Sequence, residues 1–508
     1  MCFQCDELEL SGDSRKSPRI CEAVDNDPAI APSRRGFLAG GAGLLAGSAG
    51  LFAGGAMQAQ PARAQTGPAA LPRSRRKLIK NGVILSMDRQ VGDFARGDVL
   101  IEDGKIRQVA AVIDIGGATD VDVIDAENRI VIPGFIDTHH HFYQGLLRNI
   151  LANGLLNPDY SRDVSDRLTA VYSSDDVYAG TYISALGMID MGTTAAVDTS
   201  QVNHTPAHAD AAIRALQDSG MRVMYAYSRG AGPQAAYPQD IHRLQKTWFN
   251  SKDQLLTLGL AGGLVVDQFA AARGAGVPLV SHGVNHRTEK AFAALVAAKL
   301  LRPNDIYIHC TQLSTESWKL IKDSGGAVSL SPPIEMMMGH GMPGIQGALD
   351  HGIRPSLSSD VGVTFAQDPF TVMRSTISLQ RLGILQRAQK EQKDLPPLLT
   401  VRDVLEFATI DGARCMGLES RTGSLTPGKD ADIVLLDAGR LNVWPLNNAP
   451  GCVVNLMNPA NVETVIIAGE VKKWRGALVG VDEARIRKLA QDGRDGVVKR
   501  AGFESKLF

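Results

Sequence analysis

The chain has 508 residues, of which 44% are hydrophobic and 21% charged, and this globular composition excludes wholesale disorder. The net charge is −1 and there is no long basic run, so nucleic acid is not an expected partner, because phosphate binding needs a concentrated cationic surface. A mean hydropathy of −0.05 excludes a polytopic membrane protein. The length suits two or three domains, or one large α/β barrel with additions.

Residues 1–64 are typical of an export signal. The run Ser33-Arg34-Arg35-Gly36-Phe37 opens an uncharged stretch over residues 37–57, and small residues around Ala62 and Ala64 suit a signal peptidase. The paired arginines resemble a twin-arginine (Tat) signal, which implies the Tat export machinery as a partner and a periplasmic or exported protein. A membrane anchor is the alternative, since the stretch is about long enough to span a bilayer. Its many glycines make it only weakly apolar, and the small-residue site favours removal.

Residues 65–133 are typical of a short β-rich segment, with strands expected at 78–85, 99–102 and 105–112. Asp103-Gly104 between the last two predicts a hairpin turn. From 134 to 420 apolar runs alternate with helical patterns. Strands are expected at 222–227, 278–281, 305–309, 327–330 and 354–357, and helices at 206–219, 265–273, 289–301, 315–324 and 344–351. Repeated strand–helix order predicts parallel strands with right-handed crossovers, and this many units favour a closed (β/α)8 TIM barrel.

Residues 421–480 return to short strands, at 433–436 and 464–467. The simplest architecture joins the two β-rich flanks, 65–133 and 421–480, into one small β-sandwich domain beside the barrel at 134–420. Residues 481–508 form a C-terminal tail that is expected to be a charged surface helix followed by a frayed end. The expected fold class is therefore α/β.

Three consecutive histidines, His139, His140 and His141, follow a buried-looking strand. Residues i and i+2 of a strand point to the same side, so His139 and His141 should converge while His140 points away and is structural. Such a pair at a strand end can chelate a borderline metal such as zinc. The alternative, a polar loop that happens to be rich in histidine, is weak because the run follows a strand rather than a tail.

His282, His309 and Asp360 lie at the ends of three further predicted barrel strands. The carboxyl ends of barrel strands are where such enzymes keep their active sites. Together with the first-strand pair, five potential ligands or catalytic groups are predicted to meet there. The sequence therefore predicts a metal-dependent active site.

The run from Pro133 to His141 resembles the signature of the amidohydrolase superfamily. Residues 192–198 and 423–434 are similar to stretches of its branch with cytosine deaminases, adenosylhomocysteine-type deaminases and triazine chlorohydrolases. The resemblance covers nearly all of residues 77–480. It is specific for the superfamily and poorly specific for the substrate.

The resemblance implies that His139, His141, His282 and Asp360 bind one divalent metal ion per subunit, with zinc favoured over iron or manganese. It further implies that Asp360 takes a proton from the metal-activated water, and that His309 hydrogen-bonds the water or the substrate. The sequence shows no lysine at a matching fourth-strand position, where a carbamate would bridge two metals. A mononuclear site is therefore expected.

Two positions depart from the branch. Asn285 stands where relatives have a glutamate that protonates a ring nitrogen, and Asn285 and His286 are both expected to contact substrate. Either His286 replaces that acid or the substrate needs no ring protonation. Glu335 stands where relatives usually have asparagine. It is expected to face the pocket and bind a cationic substrate or supply the displaced acid, or else to cap a neighbouring backbone group. Gln144 is expected to contact substrate, and His340 either does so or is a loop histidine with both nitrogens satisfied.

The leading functional hypothesis is a metal-dependent hydrolase that cleaves a C–N bond of a small cyclic or aromatic compound. A second possibility is a deaminase or chlorohydrolase of a nitrogen heterocycle, or a non-hydrolytic reaction on the same fold. The third is a non-catalytic periplasmic metal-binding or ligand-binding protein, which would not need Asp360. The expected partner is a small-molecule substrate, and a homo-oligomer is the usual assembly for such enzymes.

Overall fold

A computed structural model describes residues 70–505 of the chain. The predicted export signal in residues 1–64 lies outside the described residues. The described strands of the two flanks are β1 (Arg76–Ile84), β2 (Phe94–Glu102), β3 (Lys105–Ala110), β4 (Val121–Asp125) and β5 (Arg129–Pro133), and then, after the barrel, β14 (Ile433–Asp437), β15 (Val462–Ile467), β16 (Glu470–Trp474) and β17 (Ala477–Leu478).

Both flanks contribute to one nine-stranded sheet, in the order β17-β16-β15-β14-β5-β1-β2-β3, with β4 paired to β1. The join is the antiparallel pair β5–β14, in which Val434 faces Ile132. Asp103 and Gly104 have φ of 50° and 79° and connect β2 to β3, which confirms the predicted turn. The flanks therefore combine as expected. The described strands of the flanks form one hydrogen-bonded sheet, and a separate β-sandwich domain stays a prediction.

The barrel consists of eight parallel strands in sequential order: β6 (Phe135–His140), β7 (Thr193–Ser200), β8 (Arg222–Tyr227), β9 (Leu256–Gly262), β10 (Leu279–Asn285), β11 (Ile306–Thr311), β12 (Ala327–Leu330) and β13 (Ser356–Leu357). Five expected strands are confirmed within a few residues. The strand β9 at Leu256–Gly262 was not among the expected strands. The strands β10 and β11 extend further than expected. His282, which was expected just after its strand, and His309, which was expected at the end of its strand, therefore both lie inside strands.

The last gap of the barrel is closed by backbone contacts of the predicted site residues. The N–H of Asp360 donates to the carbonyl of His139 over 3.0 Å, and the N–H of His141 donates to the carbonyl of Asp360 over 3.0 Å. His140 and Asp360 form the parallel bridge between the first and last strands. The closure of the barrel and the placement of these side chains therefore depend on the same residues.

The helices that surround the barrel and the sheet are α1 (Ser174–Asp190), α2 (Pro206–Ser219), α3 (Ile241–Trp248), α4 (Val266–Ala275), α5 (Glu289–Ala297), α6 (Thr315–Asp323), α7 (Pro332–Met337), α8 (Ile345–Asp350), α9 (Pro369–Gln389), α10 (Val401–Phe407), α11 (Ile410–Cys415), α12 (Ala449–Gly451) and α13 (Glu483–Arg500). Short 3-10 or π-helical segments lie at Phe142–Leu147, Leu156–Leu168, Thr169–Val171, Cys452–Leu456 and Pro459–Asn461.

Local sequence signals explain several helix ends. A capping box between Ser173 and Asp176 starts α1, and Gly220 in the left-handed conformation ends α2. The charged surface helix that was expected in the tail is present as α13. None of the helices in residues 70–505 combines the length and the apolar character that crossing a membrane requires.

Candidate active site

Four side chains meet at the carboxyl ends of the barrel strands: His139 on β6, His282 on β10, His309 on β11 and Asp360 after β13. One potential ligand atom from each lies within 4.8 Å of the others. These four residues are called the donor group below. The Nε2 of His139 is 3.0 Å from Oδ1 of Asp360, and the Nε2 of His309 is 3.7 Å from Oδ2. The structure thus brings together four of the five groups that the sequence predicted.

His141, the fifth predicted group, lies beside the donor group. Its Nε2 is 3.4 Å from Oδ1 of Asp360, and the centres of the His139 and His141 rings are 4.8 Å apart. His140 points elsewhere, with its Nδ1 3.1 Å from the hydroxyl of Ser359 and its Nε2 2.9 Å from the amide nitrogen of Gln367. The alternation expected from strand geometry therefore holds for all three histidines.

The donor group has the chemistry that a divalent metal requires. The buried Nε2 atoms of His139 and His309 face Asp360, but within residues 70–505 neither makes a hydrogen bond, so both are available to an ion or to a group bound beside it. Burial lowers the pKa of His139 to about 4 and that of His282 well below its usual value. Although burial acts in the opposite direction, the neighbouring His139 imidazole holds the pKa of Asp360 well below its usual range. Neutral imidazoles and an ionised carboxylate are the states in which these residues bind metals.

Residues behind the histidines fix their orientation. The hydroxyl of Thr199 on β7 is 3.0 Å from Nδ1 of His139, and its carbonyl is 3.0 Å from Nδ1 of His141. The Asp137 carboxylate accepts from the N–H of His139 and from the N–H and hydroxyl of Ser359. Sequence reasoning missed the role of Thr199. The only signal was its place at the end of the strand next to β6.

Two members of the donor group have unusual backbones. His309 and Asp360 have φ of 72° and 58°, in the left-handed region that side chains with a Cβ rarely adopt. Residues held in such conformations cluster at functional sites, because the surrounding structure must offset the strain. At Asp360 the closure contacts with β6 supply that restraint.

Glu335 lies behind His309. It lies in α7 with its side chain completely buried, and its Oε1 is 3.1 Å from Nδ1 of His309 and accepts from the N–H of Ser331 over 2.8 Å. The backbone-capping alternative is therefore present, together with an unpredicted contact to His309. Within residues 70–505 the buried Oε2 of Glu335 has no hydrogen-bond partner, and a contact of Glu335 with substrate stays a prediction.

The other residues that were predicted to contact substrate differ in burial and in hydrogen bonding. Gln144 is buried, and its amide donates to the hydroxyls of Tyr143 and Tyr160 over 3.1 and 2.6 Å. The Asn285 amide is used within its own loop, donating to the carbonyl of Gly283 and accepting from the N–H of Arg287. His286 is exposed. Substrate contacts by Gln144, Asn285 and His286 stay predictions.

The profile of the amidohydrolase family matches residues 130–472. The chain is 26% identical over 444 residues to a 5′-deoxyadenosine deaminase of Methanosarcina mazei, covering 83% of this chain and 98% of that protein. It is also 26% identical over 438 residues to a 5-methylthioadenosine/S-adenosylhomocysteine deaminase of Desulforamulus reducens, covering 81% and 96%.

Two solved structures share the fold. An adenosine deaminase of Xanthomonas campestris with bound zinc superposes with a TM-score of 0.74 at 20% identity, covering 83% of this chain and 98% of that one. A variant of the atrazine chlorohydrolase of Arthrobacter aurescens, complexed with zinc and atraton, gives 0.73 at 19% identity, covering 82% and 100%. The predicted metal-dependent hydrolase of carbon–nitrogen bonds is thereby confirmed. The chain belongs to the amidohydrolase family.

Proposed function

We propose that the protein is a hydrolytic deaminase that removes an amino group from a nitrogen heterocycle, using one zinc ion per subunit. The observation that carries the proposal is the donor group, in which neutral imidazoles surround the ionised Asp360 at the carboxyl ends of the barrel strands. The deaminase names of the two relatives above support the choice of an amino group. The fourth barrel strand, β9, contains no lysine that could form a bridging carbamate, which supports a single ion.

Each residue of the site would have its own role in the reaction. The donor group would hold the zinc ion, which would supply Lewis acidity and so lower the pKa of water at the site. The ionised Asp360 is the base that accepts a proton from the attacking water and returns it to the departing amine. His309 directs Nε2 towards the same space and can hydrogen-bond the tetrahedral centre, while Glu335 holds its Nδ1 from behind.

The proposal is tested by ammonia release from 5′-deoxyadenosine, 5-methylthioadenosine and S-adenosylhomocysteine, with elemental analysis of the same preparation. We expect turnover of at least one compound and about one zinc per chain. The Asp360→Asn variant should keep its fold and lose at least about 1000-fold in kcat. Chloride release from a chlorotriazine without ammonia release from any amine would replace deamination by hydrolytic dechlorination. Two metal equivalents would contradict the mononuclear site.

We also propose that the chain is exported through the Tat route. Arg34 and Arg35, the uncharged stretch that follows and the small residues near Ala64 support this. Changing both arginines to lysine should keep the full-length protein in the cytoplasm, whereas the unaltered chain should reach the periplasm in a shorter form. An unprocessed chain that stays in the membrane fraction would favour the anchor instead.

A further inference from the structure

A histidine outside the donor group lies against it with an unused nitrogen. His340 follows α7, and its ring centre is 4.7 Å from that of His309, with the ring planes at 76°. Within the described residues its Nε2 is buried and has no hydrogen-bond partner. No described residue therefore supplies a hydrogen bond to this nitrogen.

The backbone around His340 holds the ring in place. The hydroxyl of Thr311, two residues after His309 on β11, donates to the carbonyl of His340 over 3.2 Å. The N–H of His340 donates to the carbonyl of Glu335 over 3.0 Å. Gly339 and Gly341, which flank it, have φ of 71° and 126°, so this tight path depends on residues without a Cβ. The segment is tied both to the strand and to the helix that carry the His309–Glu335 contact.

A buried nitrogen without a partner costs free energy unless something else supplies the missing hydrogen bond. Two other imidazoles with unpartnered Nε2 atoms, His139 and His309, belong to the donor group, and the rings of His309 and His340 are in contact. The end of β10 and the residue that follows it offer no comparable buried nitrogen, because the Asn285 amide bonds to the backbone of Gly283 and Arg287 and His286 is exposed.

We infer that His340 is a catalytic residue, whose Nε2 forms a hydrogen bond to the substrate at the donor group. The chemical class of that substrate, an amino-substituted nitrogen heterocycle, rests on the proposed function. The hydrogen bond from His340 does not rest on the proposed function, since any small molecule or anion held by the donor group would meet the same nitrogen. In this arrangement the segment after β12 supplies the hydrogen bond that the sequence had assigned to the loop after β10.

The inference is tested with His340→Leu, which removes the hydrogen bond and keeps the volume, and His340→Gln, whose amide can restore a hydrogen bond. His351→Leu is the matched control. His351 is another half-buried histidine, but it precedes β13 at the opposite end of the barrel and binds the Gly347 carbonyl. Each protein is loaded with cobalt, because zinc is spectroscopically silent. Three quantities are measured: the cobalt content, the azide dissociation constant from the visible spectrum, and kcat/KM on the best amine.

We expect His340→Leu to keep its cobalt, to weaken azide binding at least 10-fold and to lose at least 100-fold in kcat/KM. His340→Gln should recover most of the azide affinity, and His351→Leu should match the wild type. A loss in either readout at full cobalt content supports the inference. Wild-type values in both readouts overturn it, and so does a loss of cobalt from both His340 variants, which would make His340 a metal ligand.

The azide measurement separates this inference from the proposed function. One outcome is that the wild type deaminates none of the amines while His340→Leu binds azide more weakly than the wild type does. In that case the proposed function fails and the role of His340 stands. If the wild type deaminates an amine and His340→Leu is unaffected in both readouts, the deaminase assignment stands and the inference fails.

Discussion

The carboxylate of Glu335 lies directly behind the imidazole of His309, with Oε1 3.1 Å from Nδ1. Both side chains are buried, and the N–H of Ser331 fixes the same oxygen. Burial alone would lower the pKa of His309, but the hydrogen bond to Glu335 reverses this and the pKa is raised. A carboxylate in this position selects the tautomer with the proton on Nδ1 and leaves Nε2 as the free acceptor.

Glu335→Gln should therefore lower kcat about 10–100-fold at saturating zinc, the usual cost of losing such a carboxylate–histidine contact. The amide keeps the shape but removes the charge, and it can turn its NH2 towards His309 and reverse the tautomer. Steady-state kinetics at several zinc concentrations provides the measurement. A variant with unchanged kcat at saturating zinc would show that Glu335 only caps the Ser331 backbone.

Glu335→Asp is the complementary control. It keeps the negative charge but withdraws the carboxylate by about one methylene, so it can no longer reach Nδ1 at hydrogen-bond distance. We expect a loss of kcat similar to that of the glutamine variant. Recovery of wild-type kcat by aspartate would mean that charge, and not contact with His309, is what matters.

The sequence could predict features that depend on residues close together along the chain. The side-chain alternation of a strand placed His139 and His141 together and sent His140 away, and the Asp103-Gly104 turn follows from two adjacent residues. The features that were missed depend on contacts between distant segments. Thr199 reaches His139 only because β6 and β7 pair in a particular register, and Glu335 reaches His309 only because α7 turns back over β11.

The contact between Thr199 and His139 leads to a prediction about metal affinity. Thr199→Val keeps the shape of the side chain and removes the hydroxyl that orients Nδ1 of His139. We expect the zinc dissociation constant to rise about 10-fold or more, as when other groups behind metal ligands are lost. Competition with a chromophoric chelator measures it.

Thr181→Val provides the matched control for this measurement. Thr181 on α1 is equally buried, and its hydroxyl has no hydrogen-bond partner within residues 70–505. Its replacement should leave the zinc affinity unchanged. Equal zinc affinities for both valine variants and the wild type would show that Thr199 does not orient the ligand.

Arg222 at the start of β8 is completely buried between two carboxylates of the C-terminal flank. Its Nε is 2.8 Å from Oδ2 of Asp432, and its Nη2 is 2.9 Å from Oδ2 of Asp430. Both aspartates lie in the stretch 423–434 that resembles the amidohydrolase superfamily. In the structure their ion pairs with Arg222 join the barrel to the nine-stranded sheet.

Arg222→Met should lower the free energy of unfolding by about 3–5 kcal/mol, because it leaves the buried Asp432 carboxylate without its cation. Asp430 keeps its ion pairs with Lys105 and Arg421. Urea unfolding monitored by circular dichroism measures the change. Arg243→Met is the control, since Arg243 pairs with Asp210 and Asp240 in a partly exposed position and should cost less than about 1 kcal/mol. Equal losses for the two variants would contradict a special role for the buried cluster.

The last prediction concerns Asp198, next to Thr199 on β7. Its Oδ1 accepts from the N–H of Phe142, and within the described residues its buried Oδ2 has no partner. Burial raises its pKa from 3.8 to about 7. Between these values the folded state keeps a proton that the unfolded state releases, so the free energy of unfolding falls as the pH rises from about 4 to 7, by at most about 1.4 kcal/mol per unit.

Asp198→Asn abolishes this titration. The stability of the variant relative to the wild type should therefore increase steadily from pH 5 to pH 7, and then level off above pH 7. Urea unfolding of both metal-free proteins at pH 5, 6, 7 and 8 measures the difference. Asp137, whose pKa burial also raises to about 7, titrates in both proteins and cancels from the comparison. Parallel stability curves would mean that Asp198 has the same pKa in the folded and unfolded protein, and would contradict the prediction.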